Sequence, residues 1–150
     1  MTTYSVTKVI QAPLKYVYDW ATDYTEGDNA IWGGKNPSIM LLKTKTRVIY
    51  AYYSESVNGK PKLAVRIVTL HPRTYSWHLD YYGEEAFETG EYKLTRLGKE
   101  KTRFHMVIKS KWKNGKGPSA SHLQKHTTYV WTKYTEALEE DYRSGRRAGA

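Results

Sequence analysis

The 150-residue sequence contains no cysteine, and this absence excludes several kinds of structure and chemistry. Without cysteine the chain forms no disulfide bond and has no thiolate nucleophile. A zinc site would need histidine and carboxylate ligands alone. His122 and His126 lie four residues apart in HLQKH, but this stretch lacks the glutamate of the metalloprotease motif and shows no third ligand. We therefore expect no metal and no cofactor.

Long apolar runs are also missing. No segment approaches the ~20 apolar residues of a membrane-spanning helix. The N-terminal stretch MTTYSVTKVIQAP lacks the basic and apolar regions of a secretory signal. We therefore expect a cytoplasmic protein without a transmembrane segment. The length suits a single domain over residues 1–150, and a domain of this size buries roughly 70% of its unfolded surface.

Phenylalanine is scarce, at two residues, whereas the sequence contains fourteen tyrosines and five tryptophans. These abundant rings carry a hydroxyl or N–H group that needs a hydrogen-bond partner when it is buried. A concave surface lined by such rings has the contact area and the polar groups of a small-molecule site. The alternative is that the rings fill the interior and leave no cavity.

The predicted elements are one strand, two short helical segments, six strands and a long helix. The strands are predicted at residues 4–11, 39–45, 47–55, 62–70, 75–82, 86–97 and 102–112, and the helices at residues 13–24, 28–32 and 121–143. Asn58-Gly59 predicts a tight hairpin between two strands. Ser121 with Gln124 matches a capping box at the start of the long helix.

Apolar and polar residues alternate along several strands, which is typical of an antiparallel sheet with one covered face. In the strand at residues 62–70, the alternation predicts Leu63, Val65 and Ile67 on the covered face, with Arg66 on the exposed face. The last helix, at 1.5 Å per residue, is roughly 33 Å long and can cover the sheet.

The first helix, within APLKYVYDWATDY, has an unusually wide apolar surface. Its apolar residues cover about 200° of the circumference, against ~100° for an ordinary surface helix. We therefore expect it to pack on two sides, against the edge of the sheet and against the long terminal helix.

The opening VIQAPLKYVYDWATD and the closing HTTYVWTKYTEALEEDYR resemble the START/Bet v 1-like (SRPBCC) superfamily. The resemblance implies an α+β helix-grip fold: a curved antiparallel sheet of about seven strands wrapped around a long C-terminal helix, with one or two short helices after the first strand. Many members bind a lipid, sterol, hormone or polyketide-like molecule between sheet and helix, and some are cyclases, dehydratases or hydrolases. The family implies a pocket but does not identify a ligand.

Candidate ligand-binding residues follow from the inward phase of the strands and of the long helix, and from a gate in AIWGGKN. They are Trp32, Trp77, Tyr81, Glu88, Tyr92, Trp112, Val130 and Tyr134. Glu88 shares the phase of Gly90 and Tyr92, so alternation points its carboxylate at the cavity, with Lys8 as a candidate partner. The alternative is that Glu88 lies at the rim and a bulge turns Lys8 outward.

Three functions are compatible with these features. The first is binding, transport or sequestration of a hydrophobic or amphiphilic small molecule. The second is an enzyme of polyketide cyclase or dehydratase type, with Glu88 or Tyr81 as acid or base, although no linked nucleophile and base is visible.

The third function is a basic nucleic-acid-binding module. The net charge is +9, and a basic stripe runs through Lys109, Lys111, Lys113 and Lys116. No nucleic-acid signature accompanies this stripe, and lysines on an exposed strand also prevent edge pairing. We therefore rank nucleic-acid binding last.

Overall fold

A seven-stranded antiparallel sheet and a long C-terminal helix make up most of the fold. The computed structural model describes residues 1–25, 28–54, 60–115 and 117–146. The strands are β1 (Thr2–Ile10), β2 (Ile39–Lys43), β3 (Arg47–Ser54), β4 (Lys62–His71), β5 (Ser76–Gly83), β6 (Ala86–Gly98) and β7 (Lys101–Trp112), in the spatial order β1-β7-β6-β5-β4-β3-β2. The helices are α1 (Leu14–Ala21) and α2 (Ala120–Arg143), with 3₁₀ helices at Asp28–Trp32, Pro72–Thr74 and Lys113–Gly115.

This architecture confirms the predicted curved antiparallel sheet with a long terminal helix. The strand positions agree with the sequence prediction to within a few residues, and a short helical turn lies at Asp28–Trp32 as expected. The predicted Asn58-Gly59 turn and the last lysine of the basic stripe, Lys116, lie outside the described residues.

Helix α1 ends at Ala21, three residues earlier than predicted. The N–H and hydroxyl groups of Thr22 both donate to the Tyr18 carbonyl, at 3.0 and 2.6 Å, and close the last turn. Tyr24 then takes a left-handed backbone conformation (φ 43°), which ends any helical continuation.

Helix α1 has two packing partners, as its wide apolar surface predicts. It contacts α2 and the strands β6 and β7. These strands lie inside the sheet, so the prediction that α1 packs against the edge was wrong. The Trp20 indole fixes the helix pair because its Nε1 donates to Asp141 Oδ2 of α2 at 2.9 Å.

The N-cap of helix α2 lies two residues earlier than the capping-box prediction. Its N-cap is Ser119, whose side chain accepts a hydrogen bond from the His122 N–H at 3.1 Å. The predicted cap, Ser121, lies inside the helix. The first residue of the helix, Ala120, therefore lies just before the predicted start at residue 121.

The side chains of β4 point to the opposite faces of the sheet from those predicted. Arg66 pairs directly with Tyr50 of β3 and with Tyr81 of β5, and it shares their inward face. Leu63 is 48% exposed, whereas Val68 is fully buried. The prediction of Leu63, Val65 and Ile67 as inward residues was wrong, because both faces of β4 are apolar and the pairing with β3 and β5 decides between them.

Stacked aromatic rings fill part of the space between the sheet and α2. Trp77 stacks on Tyr92 with ring centres 5.0 Å apart, and Phe104 of β7 stacks on Trp131 of α2 at 4.0 Å. Such pairs stabilise the fold beyond the apolar area that they bury. The interior beside these stacks is not filled.

Candidate functional site

A cavity of about 250 Å³ lies between the concave face of the sheet, the first half of α2 and the 3₁₀ helix Asp28–Trp32. Seven of the eight candidate residues line it. They are Trp32, Trp77, Tyr81, Glu88, Tyr92, Val130 and Tyr134. Aromatic rings therefore form the walls of a space as well as part of the core.

Trp112, the eighth candidate, does not belong to the described lining of this cavity. It is the last residue of β7 and lines a separate recess with Tyr82 and Phe87. Gly117 lies against its indole so closely that a side chain there would collide with the ring, with an added Cβ 2.2 Å from Cγ. The inward phase is correct, but the chain folds over Trp112 at the end of the strand.

Arg66, which the sequence analysis placed on the exposed face, lines the cavity instead. Its Nη1 donates to the Tyr50 hydroxyl at 3.1 Å. Its guanidinium carbon lies 5.0 Å from the ring centre of Tyr52 and 5.6 Å from that of Tyr81, which is cation–π geometry. A positive charge therefore lies in the wall, held by three tyrosines on β3 and β5, the two strands that flank β4.

The guanidinium has fewer partners than its donors require. No carboxylate in the described part of the chain forms an ion pair with Arg66. Its Nε is buried and has no hydrogen-bond partner among the described residues. Arginine is always charged in proteins, and an uncompensated charge away from water is costly. The site has unused capacity for an anionic or strongly accepting group.

Tyr52 and Tyr92, two of the tyrosines that line the cavity with Arg66, remain protonated at neutral pH. Burial raises the pKa of Tyr52 and of Tyr92 well above the usual value, although the charge of Arg66 acts in the opposite direction. Burial also raises the pKa of Tyr134 on the helical wall. These hydroxyl groups can both donate and accept hydrogen bonds toward a bound molecule.

Glu88 faces the cavity, and its partner is a tyrosine. The Tyr4 hydroxyl donates to Glu88 Oε2 at 3.3 Å. Lys8 lies in the inward phase of β1, but its Nζ donates to Thr132 Oγ1 of α2 at 2.6 Å and ties the strand to the helix. The suggested Lys8–Glu88 pair is therefore absent from the described structure.

Trp32 and His126 meet at the cavity lining, where the 3₁₀ helix approaches α2. Their rings are perpendicular, with centres 5.7 Å apart. Burial and the neighbouring His122 lower the pKa of His126.

Among the described residues, no three His, Asp or Glu side chains lie close enough together to hold a metal ion. In the described part of the chain, no helix is both long and apolar enough to cross a membrane.

Tyr4, Tyr50, Tyr52 and Arg66 are lining residues that the sequence analysis did not identify. The pairing of β4 with β5 could have identified Arg66 as an inward-facing residue. Tyr81 was predicted to face inward, and the residue directly opposite it in an antiparallel pair must face the same way. Counting register from the β4–β5 connection would have placed Arg66 beside Tyr81.

Comparison with solved structures shows the same fold at low sequence identity. The Zhui aromatase/cyclase from Streptomyces sp. R1128 is 12% identical with a TM-score of 0.80, over 96% of this chain and 98% of that chain. A START superfamily protein from Mycobacterium smegmatis is 12% identical with a TM-score of 0.68, over 96% and 99%. Ara h 8.0201 is 11% identical with a TM-score of 0.69, over 95% and 98%.

No family model matches the sequence, and a search of curated proteins finds no match. The structural likenesses are nonetheless extensive, since each covers nearly the whole of both chains. The chain has a START/Bet v 1-like fold, as the resemblance of its opening and closing segments predicts. At this level of identity the likeness establishes the fold and does not transfer an activity.

Proposed function

We propose that this chain uses its START/Bet v 1-like fold to bind an amphiphilic small molecule in the cavity between sheet and α2. The apolar part of the ligand packs against the aromatic walls, and its anionic or strongly accepting group meets Arg66. The observation that carries the proposal is the guanidinium in the wall, with no ion-pair partner and an unsatisfied Nε among the described residues.

The dimensions of the cavity support a compact ligand. Its volume of about 250 Å³ lies just below the ~300–1,000 Å³ range of typical ligand pockets. Trp77, Tyr92 and Trp131 supply flat apolar contact, whereas Tyr50 and Tyr81 lie beside the guanidinium. This separation of apolar and polar lining favours a molecule with one polar end.

An enzyme on the same scaffold is the second candidate, because Glu88 presents a carboxylate to the cavity beside the Tyr4 hydroxyl. A carboxylate within reach of a ligand can act as a general acid or base. Native mass spectrometry and extraction of co-purifying molecules would separate the two candidates. A binding protein releases its ligand chemically unchanged after incubation, whereas an enzyme converts it.

The role of Arg66 can be tested with two fluorescent probes that differ in charge. 8-Anilinonaphthalene-1-sulfonate carries a sulfonate, and N-phenyl-1-naphthylamine has the same rings without it. We expect Arg66→Met to weaken sulfonate binding about tenfold or more, since a charge-assisted hydrogen bond contributes about 1.5–3 kcal/mol. Binding of the neutral probe should change less than about twofold. Fluorescence titration measures both.

The matched control is Arg47→Met, which removes an exposed arginine from β3. Its affinity for both probes should equal that of the unmodified protein. Equal loss of both probes in Arg66→Met, with the fold intact by circular dichroism, would assign Arg66 a structural role. Unchanged sulfonate binding would remove Arg66 from the proposed site.

A further inference from the structure

The outer face of the sheet carries an apolar surface that the cavity does not use. Six large side chains on it are between 38% and 56% exposed. We call them the outer apolar patch: Ile39, Leu42, Tyr53, Leu63, Tyr82 and Phe87. We propose that two copies of this chain associate through this patch, sheet against sheet, around a two-fold axis.

Strand pairing makes the patch continuous. Tyr53 of β3 lies directly opposite Leu63 of β4, and Tyr82 of β5 lies directly opposite Phe87 of β6. The Tyr82 and Phe87 rings are 5.1 Å apart. Val65 joins the two pairs because it is the direct partner of Tyr82 on the same face. On the far side, Ile39 and Leu42 of β2 extend the rows through Ala51 and Ile49.

The exposed area is comparable to what a stable dimer needs. A large aromatic side chain has about 150–250 Å² of surface, so six large side chains exposed to about half present on the order of 600 Å² of apolar area. Isolated monomers rarely expose a larger contiguous patch than about 300–600 Å². A standard interface buries about 800 Å² per partner, and the patch by itself supplies most of that area.

The end of the patch next to Trp112 can receive side chains from a second copy. A recess of about 280 Å³ lies beside Tyr82 and Phe87, bounded by Lys111 and Trp112. Tyr53 of β3 and Leu63 of β4 lie on the same face, on the next two strands beyond β5. A two-fold axis parallel to the strands, between β4 and β5, carries Tyr53 and Leu63 of each copy over the recess of the other. Aligned packing of two sheets has this arrangement.

The rim of the patch carries charges of both signs. Asp80 and Glu91 lie on the same outer face, where both bond to His78. Glu84 lies beside Leu63, whose N–H donates to its carboxylate at 3.2 Å. Lys111 lies opposite Phe87. Lys93 and Lys109 of the same face add to the positive side. A second copy offers both signs of charge, so the rim of each copy can pair with that of the other.

The test is sedimentation velocity from low to high micromolar concentration, with light scattering to give the mass. We expect a species of twice the 17.4 kDa monomer mass. Leu63→Lys and Tyr82→Lys should each give a monomer with unchanged circular dichroism and unchanged neutral-probe binding. The matched control is Val9→Lys, at an apolar residue of β1 that is 45% exposed outside the patch; it should remain a dimer.

Three results would overturn the proposal. One is a monomer at every concentration. Another is a dimer that persists in both patch variants, since it would use another surface. The third is a monomer that floats with vesicles of anionic phospholipid and loses this binding in Leu63→Lys, because the patch would then be a membrane surface. The neutral-probe titration is independent of all three, so failure of the dimer leaves the proposed binding function intact.

Discussion

At the scale of single residues, His78 holds an unusual position on the outer face of the sheet. One ring nitrogen bonds to Glu91, and Nε2 lies 2.9 Å from Asp80 Oδ1. Partial burial lowers the pKa of His78, but the hydrogen bonds and charges of Glu91 and Asp80 outweigh it, so the pKa is raised. The protonated imidazole therefore links β5 to β6.

A raised pKa sets the direction of the pH dependence. The stability that His78 contributes is fully present below its unfolded-state pKa of about 6.5 and is lost as the pH rises through its folded-state pKa. We expect His78→Gln to lower the free energy of unfolding by up to about 1 kcal/mol at about pH 5.5 and by close to nothing at about pH 9. Urea denaturation at both values measures this.

The control for this prediction is His71→Gln, at an exposed histidine that has no carboxylate partner in the described part of the chain. At about pH 5.5 the effect of His71→Gln on unfolding should be clearly smaller than that of His78→Gln. A His78→Gln destabilisation that grows with pH would contradict the assigned role, because it would require the neutral ring to be the stabilising form.

Residue-level prediction from the sequence succeeded where one strand had one apolar face. In β6, Gly90, Tyr92 and Leu94 mark the inward phase, so Glu88 could be assigned to the cavity side. It failed for Arg66, because the alternating positions of β4 on either side of it are equally apolar. A charged residue on an inward face contradicts the average pattern, and such exceptions concentrate at functional sites.

At the scale of elements, the start of α2 shapes one wall of the cavity. Leu123 and Thr127 in its first turns both line the space. The helix depends on Ser119, which satisfies one of the N–H groups that have no partner within the helix. The Ser119 cap therefore affects both the stability of α2 and the wall of the cavity.

We expect Ser119→Ala to reduce the free energy of unfolding by about 1 kcal/mol, the usual effect of losing an N-cap. Ser121→Ala, the change that the sequence pattern alone would select, should cost no more than a few tenths of a kcal/mol, because alanine is a good helix former. Chemical denaturation of the two variants decides between the caps. A larger loss in Ser121→Ala would mean that the helix starts two residues later.

The sequence predicts the type and order of the helices and strands better than it predicts the residues at which they begin and end. Alternation and periodicity identified all seven strands and the long helix, since these signals extend over many residues. The ends depend on single contacts, such as the Thr22 hydroxyl closing α1 and the Ser119 cap of α2. Several serines and threonines lie near each boundary, and local sequence does not distinguish the one that bonds.

At the scale of the whole molecule, burial raises the pKa of several of the fourteen tyrosines together. Burial raises the pKa of Tyr18 to about 12, and it raises the pKa of Tyr4, Tyr52, Tyr92 and Tyr134 above the usual range. Stability from these groups is fully present below the unfolded-state pKa of about 10 and is lost as the pH rises above it. Base should therefore unfold the protein.

We expect part of the tyrosine absorbance change near 295 nm to appear only together with loss of the near-ultraviolet circular dichroism signal, above about pH 11. In denaturant, where burial is removed, the tyrosines should titrate in one step near pH 10. Complete ionisation of all tyrosines at an ordinary midpoint, with the circular dichroism signal retained, would show that the rings around the cavity are open to solvent.

The reversed facing of β4 also has a consequence for how the chain reaches its native state. In the native register Leu63, Val65 and Ile67 face outward while Arg66 is enclosed. A slip of one residue would bury the aliphatic row and expose the arginine, so the sequence of β4 by itself favours a competing register. Only the pairing with β3 and β5 resolves this local frustration. The strand that places a positive charge in the cavity is therefore also a strand that can pair in the wrong register during folding.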